Sequence, residues 1–254
     1  MSGLLLLTRD DPRDDRITLE AERDGQEVVR LKLLGTEPGR DEDRFASWLE
    51  VPQVDAAIAW TSRRAADALL ALLTPERRAG LGHLPLFAVG AESAAPIVHE
   101  GFQVEYVSEH PDATKLAQRI LEESERRGFR RVAFLHGDRA LPDLPRALQV
   151  AGTEVEPFEL YRIRFLSPDV SAVTRAIEES RQILAFFFSP SGVEALERLL
   201  PSDAAERFRE EAWTMPHGAT TERALLDRGY ARVPHPGKRD PGAVRYNRVQ
   251  GNPR

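Results

Sequence analysis

The chain of 254 residues contains no cysteine. This absence excludes disulfide bonds, cysteine-ligated zinc, iron–sulfur clusters and a thiol nucleophile. Basic residues are in the minority, because 35 Lys and Arg face 41 Asp and Glu and give a formal net charge of −6. Nucleic-acid-binding proteins usually present a strongly basic face, so we expect no nucleic-acid partner.

Long hydrophobic runs are also lacking. The longer ones, such as Leu4–Leu7 and Ile183–Phe188, fall far short of the roughly 20 residues needed to span a bilayer. The first eight residues have neither the basic segment nor the cleavage pattern of a signal peptide. We therefore expect a cytoplasmic protein with no membrane partner. Its length allows one large domain or two modest ones.

Short apolar runs alternate with helical patterns along the chain. Seven runs have the length of a buried strand: Leu4–Leu7, Val28–Leu31, Ala56–Trp60, Leu86–Val89, Val104–Val107, Val132–Leu135 and Ile183–Phe188. Apolar residues recur at one-turn spacing in Ala65–Leu73, Thr114–Arg127 and Val193–Leu200. This alternation predicts an α/β fold with mostly parallel sheets. Asp10–Gly25 has few apolar residues, so we expect a helix there that buries little surface.

Blocks of sequence from the first half of the chain recur in the second. Three pairs correspond in order and spacing: Ala59–Leu69 with Phe186–Leu196, Gly90–Phe102 with Gly218–Tyr230, and, more faintly, Gly25–Val28 with Gly152–Val155. Any two strand–helix units share some features, which is the simpler explanation. The agreement of three blocks favours two related α/β lobes, and a cleft between such lobes is a natural ligand site.

In the first two pairs of blocks, a hydroxyl or glycine stands where a strand ends and a helix begins. The first turn of a helix has free N–H groups and the positive end of the helix dipole. A hydroxyl there caps the helix, and the same amides can bind an anion. We interpret Ser62, Ser93, Ser189 and the pair Thr220 and Thr221 as four such termini. Plain capping explains any one of them, but four together favour a polyanionic ligand.

Other familiar motifs of catalysis are missing. The sequence has no GxGxxG after its first strand, no P-loop and no GxSxG, and its six histidines show no metal-ligand spacing. His136, at a predicted strand end, is more often a structural residue than a ligand. Arg139 either pairs locally or offers its guanidinium to a carboxylate. Tyr161 either packs in a strand or donates a proton.

In order along the chain, these motifs resemble the uroporphyrinogen-III synthase family. The resemblance covers about residues 3–233 and rests on Leu5–Arg9, Thr61-Ser62, Val89–Ser93, Gly137 with Asp143-Leu144, Glu159–Arg162, Phe187–Val193 and Gly218–Leu225. It implies two related parallel-sheet α/β lobes joined by two extended connectors. Lobe 1 is then 1–32 with 166–233, lobe 2 is 39–157, and the connectors are 33–38 and 158–165. The tail, 234–254, is predicted to be disordered.

The resemblance further implies an enzyme that closes the linear tetrapyrrole hydroxymethylbilane into uroporphyrinogen III, inverting the last ring, without metal or organic cofactor. Tyr161 is then the catalytic residue, assisting loss of hydroxide as proton donor or orienter. The implied substrate-binding residues are Arg9, Thr61, Ser62, Gly90, Ser93, Gly137, Arg139, Ser189, Ser191, Gly192, Gly218, Thr220 and Thr221. We expect a monomer that receives its substrate, a tetrapyrrole polycarboxylate, by transient hand-over from the enzyme producing it.

Two alternatives stay open at this stage. One is a non-catalytic two-lobe sensor that binds a tetrapyrrole or another polyanion, although we expect no appended effector domain. The other is a different transferase or synthase acting on a polyanion.

The sequence also departs from the family pattern at Trp213–His217, where the family has a smooth apolar strand, and after Pro234, where a polar tail replaces a closing helix.

Overall fold

The structure, a computed structural model, describes residues 3–106 and 112–234. The end of the predicted strand Val104–Val107 and the predicted tail from residue 235 onward lie outside the described residues. The strands are β1 (Leu4–Leu7), β2 (Glu27–Arg30), β3 (Leu34–Pro38), β4 (Ala56–Trp60), β5 (Leu86–Ala88), β6 (Glu105–Tyr106), β7 (Arg131–Gly137), β8 (Glu154–Phe165), β9 (Ile183–Phe187) and β10 (Trp213–Pro216).

Helices follow most of the strands. They are α1 (Asp15–Arg23), α2 (Glu42–Glu50), α3 (Arg63–Ala71), α4 (Pro75–Leu81), α5 (Ala91–His99), α6 (Ala113–Arg127), α7 (Asp143–Val150), α8 (Ser171–Glu178), α9 (Pro190–Leu199), α10 (Ser202–Glu211) and α11 (Ala219–Asp227). Within residues 3–106 and 112–234, no helix is both long enough and apolar enough to cross a membrane.

The chain divides into two compact units. Unit 1 is Met1–Gly35 with Arg164–Arg254, and unit 2 is Thr36–Ile163. Unit 1 contains a sheet of order β10-β9-β1-β2, whose neighbouring strands are all parallel. The second sheet has the order β3-β8-β7-β4-β5-β6, and its strands from β8 to β6 are parallel. The predicted α/β fold with parallel sheets is confirmed.

The segments predicted as connectors, 33–38 and 158–165, lie in or beside the paired strands β3 and β8. Backbone hydrogen bonds join Leu166 to Leu33 in unit 1 and Gly39 to Leu160 in unit 2. The chain passes from one unit to the other within these two strands. The predicted boundaries of the lobes stay a prediction.

In unit 1 the four leucines of β1 are all buried, because alternate side chains enter apolar clusters on opposite faces of the sheet. The smaller cluster lies under α1, where Thr18 and Ala21 are buried and Leu19 is 54% exposed. The expectation that this helix buries little is confirmed. The segment Trp213–His217, which differs from the family pattern, still contains the parallel strand β10, in which Thr214 and Met215 are buried.

In unit 2 the strand β4 also feeds two clusters, with Ile58 and Trp60 on one face and Ala57 and Ala59 on the other. The Trp60 indole N–H donates to the Ser93 carbonyl oxygen at 2.8 Å, which ties β4 to α5. These contacts fix the carboxyl end of β4, where the predicted site begins.

Candidate functional site

The predicted site residues fall into two groups, one at the carboxyl edge of each sheet. Strands of a parallel sheet end at the same edge, which is where α/β proteins usually bind ligands. Unit 2 carries Thr61, Ser62, Gly90, Ser93, Gly137, Arg139 and Tyr161, and unit 1 carries Arg9, Ser189, Ser191, Gly192, Gly218, Thr220 and Thr221. Each group belongs to a single unit and is described by itself.

Ser62 and Ser189 cap helices in the same way. The Ser62 Oγ accepts a hydrogen bond from the Ala65 N–H at the start of α3, and the Ser189 Oγ accepts one from the Gly192 N–H at the start of α9, each at 3.2 Å. Both serines have extended backbones, as N-cap residues do. The prediction that these two hydroxyls cap helices is confirmed.

Ser93, Thr220 and Thr221 lie in the first turns of α5 and α11, as predicted, but the prediction that they cap these helices is wrong. Gly90 and Gly218 hold the N-cap positions of α5 and α11. Ser93 and Thr221 are each the third residue of their helix and are buried, while Thr220 is exposed. A glycine cap has no side-chain acceptor, so first-turn N–H groups can instead serve an anion.

The side chains of Tyr161 and Ser62 form a hydrogen bond within the unit 2 group. The two hydroxyl oxygens lie 3.0 Å apart, and either can be the donor. Burial raises the pKa of the Tyr161 phenol, an effect partly opposed by the hydrogen bond from Ser62 and by the charge of Arg64. The phenol therefore stays protonated at neutral pH and can donate a proton.

A buried carboxylate holds the strand on which Tyr161 lies. Glu159 is only 4% exposed, and its Oε2 pairs with the Arg40 Nη2 at 2.6 Å. The hydrogen bond from Arg40 lowers the pKa of Glu159, so this carboxylate stays ionised. Asp41 accepts the Glu159 N–H at 2.9 Å. This network anchors β8 two residues before the phenol and has a structural role.

Arg9, predicted to bind substrate, already has a carboxylate partner. Its Nε and Nη2 donate to the two oxygens of Asp14, each at 2.7 Å. Its guanidinium also lies 3.6 Å from the centre of the Phe188 ring. Any substrate carboxylate at Arg9 would therefore share the guanidinium with Asp14. Arg139 is exposed in the turn after β7 and is not free of partners.

Arg64 is a residue that the sequence reasoning did not select. It is exposed, is the second residue of α3, and its charge acts on the Tyr161 phenol. Its neighbour Arg63 pairs with Asp67 at 3.8 Å, whereas the described residues give Arg64 no ion pair. A cation in the first turn of a helix is disfavoured by the helix dipole, a signal that the sequence gives for both Arg63 and Arg64.

Metal binding finds no support in the side-chain arrangement. Across the described ranges, no three His, Asp or Glu side chains are grouped so that they could hold a metal ion. Both edges offer hydroxyls, amides and guanidinium groups, which suit carboxylates.

The family model described as uroporphyrinogen-III synthase HemD matches residues 15–243. The chain belongs to the uroporphyrinogen-III synthase family. The resemblance predicted from the ordered motifs is thereby confirmed, and the family is one of enzymes. A search of curated protein sequences finds no match.

Two solved structures share the fold. One is a mutant uroporphyrinogen III synthase from the extremely thermophilic bacterium Thermus thermophilus, with 17% identity, a TM-score of 0.61, and coverage of 98% of this chain and 99% of that chain. The other is the uroporphyrinogen-III synthetase from Helicobacter pylori, with 16% identity, a TM-score of 0.61, and coverage of 99% and 100%. At these identities the likeness shows the fold alone, and the family match carries the functional assignment.

Proposed function

We propose that this chain is a uroporphyrinogen-III synthase, a lyase that closes hydroxymethylbilane into uroporphyrinogen III with loss of water and inversion of the terminal ring. The match of the family model to most of the chain supports this function. The observation that carries the chemistry is the protonated Tyr161 phenol, 3.0 Å from Ser62 at the sheet edge of unit 2.

The reaction begins when a hydroxymethyl group loses its oxygen. The C–O bond breaks as hydroxide leaves, the electrons of the attached pyrrole form a double bond to the carbon that carried it, and an electron-poor azafulvenium cation forms. The terminal pyrrole then attacks through its substituted carbon and rearranges through a spiro intermediate, which inverts the ring. Because the substrate supplies its own electrons, the protein has to assist the leaving group and hold a flexible chain in one conformation.

Tyr161 is suited to assist the leaving group. The phenol donates its proton to the departing hydroxide, which leaves as water, and it recovers a proton when the cyclised product loses one. Burial keeps the phenol protonated until this step, because a low-polarity environment disfavours the phenolate. Ser62 fixes the phenol oxygen while its own Oγ is held by the Ala65 N–H.

The substrate's carboxylates are bound, in our proposal, by helix N-termini. Gly90 and Gly218 leave first-turn amides without a side-chain cap, and Ser189 and Gly192 begin α9. Amide dipoles supply local positive potential, which lets a protein of net charge −6 bind a polycarboxylate. Three expectations stay predictions: that the enzyme is a monomer, that it is cytoplasmic, and that it receives its substrate directly from the enzyme that produces it.

Isomer analysis of the product tests this function. Freshly generated hydroxymethylbilane is incubated with the protein, and the products are oxidised to uroporphyrins and separated by chromatography. We expect the inverted type III isomer to dominate, whereas closure without inversion gives type I. If only type I forms while the protein still binds uroporphyrin III, the chain is a non-catalytic tetrapyrrole-binding module.

A further inference from the structure

The pairing of β7 with β8 changes register beside the phenol. Partners run in step from Arg131 with Glu154 to His136 with Glu159, and then Gly137 pairs with Tyr161 instead of Leu160. One extra residue in β8 therefore forms a bulge, a feature that redirects side chains at strand ends. The bulge places Tyr161 directly opposite Gly137.

The Tyr161 ring occupies the space that a side chain at Gly137 would need. A Cβ at Gly137 would lie 2.8 Å from the Tyr161 hydroxyl oxygen and closer still to the ring carbons Cζ and Cε2. The backbone of Gly137 does not have a positive φ, so its conformation does not require glycine. The close approach of the ring is what requires it.

Sheet order explains why the ring must pass there. Tyr161 lies on β8 and Ser62 follows β4, and β7 lies between these strands. Neighbouring strands are about 4.8 Å apart, so the phenol has to cross the end of the middle strand to reach Ser62. A residue without a side chain at the end of β7 leaves that path open.

Backbone hydrogen bonds prevent Tyr161 from moving aside. The Asp138 N–H donates to the Tyr161 carbonyl oxygen at 3.2 Å. The Asp138 carboxylate accepts the Ile163 N–H at 3.0 Å. The turn after β7 thus grips β8 at and beyond the phenol, so a larger residue at 137 would displace the ring rather than the strand.

We propose that Gly137 is a positioning residue that lets the Tyr161 phenol reach Ser62, and is not a substrate-binding residue. Gly137 is itself buried, so it offers little surface to a ligand. The consequence for catalysis rests on the proposed function, whereas the placement of the phenol is a property of the fold and can be measured without turnover.

The test compares Gly137→Ala with Gly82→Ala. A Cβ at Gly82, in the same unit and far along the chain from the site, meets only ordinary contacts at 3.6 Å. We expect Gly137→Ala to lower kcat at least about tenfold with little change in KM, since small misplacements of a catalytic group are costly. Gly82→Ala should leave kcat unchanged.

A double-mutant cycle separates positioning from direct binding. In a Tyr161→Phe background, whose catalytic phenol hydroxyl is already gone, Gly137→Ala should cause little further loss of kcat. The same loss in both backgrounds would overturn the proposal, because Gly137 would then act independently of the phenol.

Two readouts work even if the wild-type protein proves inactive. The first is the ultraviolet titration of Tyr161, assigned by difference from Tyr161→Phe, whose raised pKa should fall toward the ordinary value in Gly137→Ala. The second is thermal unfolding: Gly137→Ala should destabilise the wild-type protein but not Tyr161→Ala, which lacks the ring. An unchanged titration, or equal destabilisation in both backgrounds, would contradict the placement.

Discussion

In unit 2 the capping serine Ser62 forms a hydrogen bond with the Tyr161 phenol. Its counterpart in unit 1, Ser189, caps a helix in the same way but has no hydrogen bond to a tyrosine in the described residues. The four strands of the first sheet correspond in order to four of the six strands of the second, since β10-β9-β1-β2 matches β5-β4-β7-β8. The strand that matches β8 is β2, which ends at Arg30, long before a residue equivalent to Tyr161. Shared architecture therefore carries different chemistry at the two edges.

The repeated blocks also explain why unit 1 is discontinuous. Ser62 and Ser189, Gly90 and Gly218 are each separated by about half the chain. The two repeats follow one another in sequence, but each unit contains strands of both. Unit 1 takes β1 and β2 from the first repeat and β9 and β10 from the second, whereas unit 2 takes β4 and β5 from the first and β7 and β8 from the second. A compact unit is thus built from parts of both repeats.

The largest difference between the units should appear on loss of the phenol hydroxyl. Tyr161→Phe should fold normally and lose about a hundredfold or more in kcat, the usual scale for removing a proton donor. The matched control is Tyr230→Phe in unit 1, a buried tyrosine whose ring packs against Phe187 and Phe208. Full activity in Tyr161→Phe would show that the phenol only packs.

The pH dependence of kcat also tests the role of the Tyr161 phenol. Because burial raises the pKa of Tyr161, the donor is fully protonated at neutral pH, and kcat should fall only as pH rises through that raised pKa. Burial of the neutral Tyr161 phenol stabilises the folded state below the ordinary tyrosine pKa of about 10. This stabilisation is lost as pH rises from there through the raised pKa of Tyr161. Rates of Tyr161→Phe should lack this alkaline limb; an identical limb would assign it to another group.

The strands and the capping serines were predictable because local pattern determines them. Runs such as Ala56–Trp60 are buried whatever they pair with, and Ser62 and Ser189 meet their donors within their own helices. The contact of Tyr161 with Gly137 was not predictable, since it depends on the register between two strands far apart in sequence. At Gly90 and Gly218 the sequence alone does not distinguish the cap from the hydroxyl that follows it, because glycine and hydroxyl residues both occur at helix N-caps.

Glycine caps should be sensitive to bulk only if a ligand lies against them. Gly218 is exposed, and a Cβ there would meet nothing within 4 Å. Gly218→Leu should therefore cost no more stability than an unfavourable N-cap residue does, but raise KM about tenfold by blocking the amides. Gly218→Ala serves as the smaller step and should lie between. An unchanged KM in the leucine variant would remove α11 from the binding surface.

Substitution of Ser62 and of Ser189 should have similar effects on stability but different effects on kcat. Ser62→Ala and Ser189→Ala should each lower the free energy of unfolding by about 0.5–2 kcal/mol, the usual cost of a lost N-cap hydroxyl. Only Ser62→Ala should also lower kcat, because it alone releases the phenol. Chemical denaturation and steady-state kinetics on the two variants check this. Equal effects on kcat would mean that the two edges are equivalent in catalysis.

The smallest effect concerns the adjacent arginines Arg63 and Arg64. Arg64 is exposed and has no ion pair in the described residues, whereas Arg63 pairs with Asp67 along the same helix. If Arg64 attracts a substrate carboxylate toward Tyr161, Arg64→Gln should raise KM about threefold at low salt, a modest change because exposed charges are screened. The difference from wild type should shrink as salt is added, while Arg63→Gln should match wild type throughout. A salt-independent increase, or equal behaviour of both variants, would show that Arg64 exerts no specific electrostatic attraction on the substrate.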